Sequence, residues 1–162
     1  EYLEILHGNE TIHHHYCQLV HHAQREILGF GRPPYACDTT DKVSEQDIEM
    51  KALIQRGGGS RWIYQMEGMN PEWPVKTLSD LAENGVLIRM APRLPLKMMV
   101  FDNREVLVAH EDPYNLSRDL TMVIIKQGTI ANAYRALFDF FWVQAVDLKD
   151  YLLNQKANEA RM

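Results

Sequence analysis

Residues 93–112 read RLPLKMMVFDNREVLVAHED and carry the strongest structural signal in the chain. Two apolar runs, residues 97–102 and 105–110, meet at a polar turn around Asn103. Asn and Asp tolerate the left-handed backbone of a tight turn, and the flanking runs are rich in strand-forming residues. The stretch therefore predicts a β-hairpin whose first strand begins at Lys97.

Helical and strand-like segments alternate over the rest of the chain, which predicts an α/β or α+β layer architecture. The run 120–126 is the richest in β-branched residues, so we expect it to be a central strand. We expect one domain over 1–146 and a polar, helix-favouring tail over 147–162. The predicted caps of two further helices are Asn9 and Thr129, and two other helices are predicted to begin at Ser44 and Trp73. The other predicted strands are 27–32, 61–66 and 86–90.

Composition and charge exclude several classes of protein. Of the 162 residues, 46% are hydrophobic and 24% are charged, as in soluble globular domains. No apolar run approaches the roughly 20 residues of a membrane span, and no signal peptide is visible. The formal net charge is −5, which argues against nucleic-acid binding by this segment itself. The chain begins at Glu1 rather than Met, so we expect a further part of the protein outside it.

The cysteines and histidines do not predict a metal site. Cys17 and Cys37 are too far apart for a CxxC motif, so we expect free thiols in a reducing cytoplasm. Histidines occur at 13–15 and 21–22 on the first predicted helix. Pairs seven residues apart are separated by about 10.5 Å along the axis and cannot share one ion. We expect these histidines to be solvated, with a place at an interface as the alternative for His13 or His15.

Two further motifs can be explained either by structure alone or by ligand binding. The run Gly57–Gly59 could bind an anion, but it opens no helix and lacks a Walker lysine, so it predicts a helix stop and a turn. The aromatic residues Trp62, Tyr64 and Trp73 could line a sugar or apolar pocket, or they could simply pack in the core.

Part of a catalytic signature lies within the predicted hairpin. Lys97 and Asp102 have the spacing of the phospholipase D motif H-x-K-x4-D, but Pro95 stands at the position of its nucleophilic histidine. Proline offers no side-chain nucleophile, and the chain carries a single copy of the motif. His110, on the next strand, could replace it only with a different geometry. The sequence therefore predicts a protein that is not an enzyme.

The segment IRMAPRLPLKMMVFDNREVLVA (88–109), with the preceding order of helices and strands, resembles the degenerate phospholipase D-like domain of TrmB-type transcriptional regulators. It is especially similar to versions joined to LuxR-type helix-turn-helix segments, and the resemblance spans 1–146. It implies a phospholipase D-like mixed sheet flanked by helices, an effector-binding role, and DNA binding through a domain absent from this chain. No sugar-binding signature carries over, so the effector stays a sugar or an anionic metabolite.

We expect the ligand site near the strand ends that carry Lys97, Asp102 and His110. Arg32 and Arg93 each lie just beyond a predicted strand, where open α/β sheets bind ligands. A buried Lys97 would donate to an anionic or hydroxylated ligand, and Asp102 would orient or neutralise it. Alternatively, these two residues form a relic ion pair or surface charges of the hairpin. No metal or cofactor is predicted.

Three functions stay open. The first is a ligand-sensing and dimerising regulatory domain of a cytoplasmic bacterial transcriptional regulator. The second is a phosphodiesterase or nuclease-like hydrolase with a site shared across a homodimer, which Pro95 disfavours because both subunits would lack the nucleophile. The third is a dimerisation module without a ligand, in which the last aromatic helix and the tail pair with a second copy.

Overall fold

The computed structural model describes residues 2–68, 73–110 and 120–162. The predicted order of helices and strands is confirmed within these ranges, and two strands were not predicted, β1 and β8. The elements in chain order are β1 (Leu3–His7), α1 (Asn9–His22), β2 (Glu26–Gly31), α2 (Thr40–Gln55), β3 (Gly59–Gln65), α3 (Trp73–Glu83), β4 (Leu87–Ala91), β5 (Met98–Phe101), β6 (Glu105–His110), β7 (Thr121–Lys126), α4 (Gly128–Trp142), β8 (Val146–Asp147) and α5 (Leu148–Ala160).

The strands form one mixed sheet in the order β1-β7-β6-β5-β2-β3-β4-β8. Strands β2, β3 and β4 run parallel, and the other pairs are antiparallel. The predicted hairpin is β5 and β6, and Asp102 and Asn103 take positive φ angles of 52° and 56° in its turn. The expectation that 120–126 is central was wrong, because β7 is second from the edge and only β1 lies outside it.

Helices cover both faces of the sheet, which makes two cores in one α/β domain. Helices α1, α2 and α3 pack on one face, and α4 packs on the other. Along each strand, alternate residues enter the two cores: Met99 and Phe101 of β5 join the first, and Met98 and Val100 join the second. This alternation decides which side chains can meet at a site.

Three helix starts differ from the predictions because the capping group lies nearer the N-terminus. α1 is capped by Gly8, while the Asn9 amide donates instead to Asp38. α2 begins at Thr40 rather than Ser44, since the Thr39 hydroxyl accepts the N–H of Lys42. For α4 the capping side chain is that of Gln127, not of Thr129. The helix stop at Gly57 is confirmed by its φ of 94°.

His13 departs from the expectation of a solvated histidine. It is buried where α2 packs on α1, with Nε2 2.6 Å from Glu45 Oε2 and Nδ1 3.0 Å from the Gln46 amide nitrogen. The described residues contain no group of three or more His, Cys, Asp or Glu that could hold a metal ion. Both cysteines are free thiols. No helix in the described part of the chain has the length and apolar character to cross a membrane.

Candidate ligand-binding site

A cavity of about 100 Å³ lies between the sheet and helices α1, α2 and α3. For comparison, an apolar cavity of about 150 Å³ admits benzene, so this smaller space limits a ligand to at most about one ring. The sheet, the helices and the loop after β2 all contribute to its walls. The lining residues are Ile12, Tyr16, Phe30, Gly31, Tyr35, Ala36, Cys37, Val43, Gln46, Asp47, Met50, Trp62, Tyr64, Thr77, Leu78, Leu81, Lys97, Met99 and Met122.

The floor of the cavity is a pair of aromatic side chains on β3. Trp62 and Tyr64 are paired in register with Gly29 and Gly31 of β2. A Cβ added at Gly29 would lie 2.4 Å from the Trp62 ring, and one at Gly31 would lie 2.5 Å from the Tyr64 ring. The two rings therefore lie across the glycines, with their planes inclined by only 20° and their centroids 5.6 Å apart. Only glycine leaves room for this arrangement.

A buried hydrogen-bond chain fixes the orientation of the floor. Trp62 Nε1 donates to Ser60 Oγ at 2.9 Å, and Ser60 Oγ donates to the carbonyl oxygen of Ile27 at 3.2 Å. The indole N–H can act only as a donor, and this bond satisfies it at the edge of the ring. The face of the ring is therefore left to line the cavity. The floor is thus preorganised by the sheet.

Lys97 contributes a cationic group to the lining of the cavity. Its residue is only 6% exposed, and its Nζ donates to the carbonyl oxygen of Pro34 and lies 4.4 Å from the centroid of the Tyr35 ring. Burial lowers the pKa of Lys97 to about 7, Cys37 acts in the opposite direction, and the positive charge of Arg32 lowers the pKa further. No carboxylate of the described residues contributes to this shift. The lysine is a desolvated cation without an anionic partner there.

Asp47 brings a carboxylate to the cavity from α2. Burial raises its pKa to about 6, Lys51 opposes the rise, and Asp80 adds to it. Burial also raises the pKa values of Tyr16 and Cys37 above their ordinary values. At neutral pH the tyrosine and the thiol are uncharged, so Asp47 and the protonated fraction of Lys97 supply the charges of the wall.

The structure separates Asp102 from Lys97. They stand at opposite ends of β5, and five residues of extended chain span about 16 Å. The Asp102 carboxylate accepts the backbone N–H groups of Gln24, Arg25 and Glu26 at 2.9, 2.8 and 2.9 Å. Burial raises the pKa of Asp102, but these bonds outweigh it and the pKa is lowered. Asp102 holds the hairpin turn to the start of β2 and does not reach the cavity.

His110 and Arg93 also lie outside the cavity. His110 is exposed and follows Val106 and Val108 on the α4 face of β6, opposite to the face that bears Lys97. Arg93 is exposed and forms two hydrogen bonds with the Glu67 carboxylate, at 2.6 and 3.0 Å.

Arg32 and Pro95 flank the lysine in different ways. Arg32 is half-buried, and its Nη1 donates to the carbonyl oxygen of Leu94 at 3.2 Å. Its charge acts on Lys97, so it belongs to the surroundings of this end of the cavity. Pro95, at the motif position of the nucleophile, is exposed. Of the five predicted site residues, Lys97 alone lines the cavity, and Arg32 acts on it through charge.

Several lining residues were not predicted. The patterns Gly29-Phe-Gly31 and Trp62-Ile-Tyr64 contain a usable signal, since alternate glycines opposite alternate aromatic residues leave room for flat rings. Trp62 and Tyr64 do line a pocket, as one of the two sequence alternatives had it, and Trp62 is also buried in the core. The side chain of Trp73 lies outside the described residues.

No protein-family model and no curated protein matches this chain. Many solved structures share its fold, among them the three that follow. The archaeal chromatin protein TrmBL2, reported to show a novel mode of DNA binding, is 20% identical with a TM-score of 0.70 over 91% of this chain and 54% of TrmBL2. The phospholipase D family member Nuc from Salmonella typhimurium is 14% identical with a TM-score of 0.69, over 90% of this chain and 96% of Nuc.

NucT from Helicobacter pylori is 10% identical with a TM-score of 0.67, over 90% of this chain and 98% of NucT. The chain thus spans about half the length of TrmBL2 and nearly all of Nuc and NucT. These likenesses confirm the predicted phospholipase D-like fold.

Proposed function

We propose that this chain is an effector-binding regulatory domain of a TrmB-type transcriptional regulator, with the phospholipase D-like fold and without phosphodiesterase activity. The observation that carries the proposal is the cavity, in which Lys97 stands at the end of an aromatic floor. A mostly apolar cavity with a few polar groups is the usual form of a small-molecule site. The lysine of the motif serves here as a ligand-binding group.

Three features support the lack of catalysis. Pro95 offers no nucleophile at the motif position. The Asp102 carboxylate is engaged by three backbone N–H groups. His110 lies on the opposite face of the sheet from Lys97 and so cannot replace the missing histidine. The remaining lysine can bind an anion, but the described residues place no histidine at the motif position of the nucleophile.

DNA binding, in this proposal, belongs to a domain outside residues 1–162, because the formal net charge of this chain is −5. Helix α5 supports a connecting role for the tail: Leu148 is buried, Tyr151 and Leu152 are half-buried, and the following residues are exposed. We propose a homodimer in the cytoplasm, in which the effector changes the arrangement of the two subunits.

The test combines native mass spectrometry with a hydrolysis assay on bis(p-nitrophenyl) phosphate. We expect a dimer that carries a reproducible small-molecule mass, and hydrolysis no faster than in buffer. The matched variants are Lys97→Met, in the cavity, and Lys126→Met, an exposed residue at the end of β7. Hydrolysis by the parent chain that Lys97→Met abolishes and Lys126→Met retains would contradict the proposal and favour the hydrolase.

A further inference from the structure

We propose that the cavity binds a small planar aromatic monocarboxylate, with its ring on Trp62 and Tyr64 and its carboxylate on Lys97. This inference rests on the proposed function and names the class of its effector. It follows from four properties of the cavity: its aromatic floor, the cation of Lys97, the carboxylate of Asp47, and its size.

The floor favours a planar ring. Trp62 and Tyr64 present stacked, nearly parallel rings, and their positions are fixed by Gly29, Gly31 and the bond to Ser60. Aromatic rings pack best on other rings in offset-stacked or edge-to-face arrangements. A flat ligand can stack on this aromatic pair with its whole face, whereas a puckered ring of the same size touches it only through some of its hydrogens.

The lysine favours an anion. An ammonium has three N–H donors, and among the described residues the acceptor of Lys97 is the neutral carbonyl of Pro34. A carboxylate would supply charge-assisted hydrogen bonds and would compensate a cation that burial has deprived of water.

The other polar groups favour a single negative charge. Asp47 faces the cavity from α2, so a dianion would meet a carboxylate. Four other lining groups are uncharged at neutral pH, and burial raises the pKa of each. They are Tyr16 from α1, Tyr64 from β3, and Tyr35 and Cys37 from the loop after β2. These groups leave Lys97 as the one lining group of the described residues that attracts an anion.

The size and the walls favour one ring. The volume of about 100 Å³ has no room for a disaccharide or a nucleotide. The hydroxyl groups of a sugar would also need many hydrogen-bonding partners, because unpaired polar groups are costly to bury. Most of the lining is methionine, leucine, isoleucine and aromatic carbon.

The experiment is isothermal titration calorimetry of the 162-residue chain at pH 7.5 with four matched probes and maltose. Benzoate is planar with one charge, cyclohexanecarboxylate has the same charge but a puckered ring, benzamide is planar and neutral, and terephthalate is planar with two charges. We expect saturable binding of benzoate with a Kd on the order of 0.1–1 mM. The other probes should bind at least about tenfold more weakly.

Two further readouts assign the charge contact. Lys97→Met should weaken benzoate binding at least about tenfold, and Lys126→Met should leave it unchanged. Benzoate should also be accompanied by proton uptake, seen as a dependence of the binding enthalpy on the ionisation enthalpy of the buffer, because it stabilises the charged form of Lys97. This measurement needs no variant, so the charge contact is tested even if Lys97→Met does not fold.

Several outcomes would overturn the inference. These are no saturable binding of benzoate up to about 10 mM, equal binding of cyclohexanecarboxylate or benzamide, or undiminished binding by a folded Lys97→Met variant. Binding of maltose without benzoate would overturn the aromatic acid and leave the regulatory function standing. Hydrolysis that depends on Lys97, without binding of any probe, would overturn both.

Discussion

Replacing Lys97 with methionine should stabilise the protein at acidic pH and remove part of its pH dependence. Methionine has a similar length and no charge, so it fills the same space beside Tyr35 without the desolvation of an ammonium. The lysine is 6% exposed and its pKa in the folded protein is about 7, against an ordinary value of 10.5. The folded chain therefore binds this proton more weakly than the unfolded chain does.

The sign and the size of the effect follow from this difference. Between pH 7 and 10.5 the unfolded chain holds a proton that the folded chain has released, so the free energy of unfolding rises with pH. At about 1.36 kcal/mol per pH unit, the buried ammonium costs about 4–5 kcal/mol at pH 6 and about 2 kcal/mol at pH 9. The lost contacts with Pro34 and Tyr35 offset about 1–2 kcal/mol of the gain in the variant. Lys97→Met should be more stable by about 3 kcal/mol at pH 6 and about equally stable at pH 9.

Urea unfolding of both proteins at pH 6, 7, 8 and 9 measures this. The cysteines, the tyrosines and Asp47 titrate in both proteins, so the difference between the two curves isolates Lys97. Lys126→Met, which replaces an exposed lysine, should follow the parent chain at every pH. A difference between the parent chain and Lys97→Met that stays constant from pH 6 to pH 9 would refute the argument that Lys97 is a desolvated cation.

Three further substitutions test the fold around the cavity. Asp102→Asn should cost about 2 kcal/mol in urea unfolding, because an amide N–H₂ replaces one acceptor of the three backbone N–H groups. Gly29→Ala should cost about 2–3 kcal/mol through its clash with Trp62, whereas Gly59→Ala, with open space at its Cβ, should stay within about 0.5 kcal/mol of the parent. His13→Ala should lower the thermal midpoint, since it leaves a void and unpaired groups between α1 and α2. Equal stability of the two glycine variants would contradict the close packing of the Trp62 ring on Gly29.

The parts of the fold that local chemistry specifies could be predicted from the sequence. The β5–β6 hairpin depends on Asp102 and Asn103, which take the left-handed backbone themselves. Strand β1 was missed because its five residues are stabilised by pairing with β7, whose residues lie more than 100 positions away in the chain. Likewise His13 is buried only because α2 packs on α1, and helical spacing within α1 carries no information about that neighbour.

The candidate site was predicted in part for a similar reason. Motif spacing identified Lys97, but spacing along an extended strand does not show that Asp102 lies at its far end, bonded to the start of β2. Side chains alternate along β6, so His110 lies on the α4 face of the sheet and Lys97 on the other. This can be stated only when the register of β6 with β5 is known. Asp47 and Tyr35 reach the cavity from a helix and a loop, so only the tertiary structure brings them together.

The energetics of Lys97 argue that the cavity serves binding. A buried ammonium without a carboxylate partner among the described residues weakens the folded state at neutral pH, and a methionine there would be the more stable choice. Stability alone therefore gives no reason for a lysine at this position. An anion in the cavity would explain the lysine, because the bound anion would compensate the ammonium charge of Lys97, which is desolvated in the free protein. Ligand affinity and stability therefore make opposite demands on this residue. A substitution of Lys97 that stabilises the folded chain should weaken ligand binding.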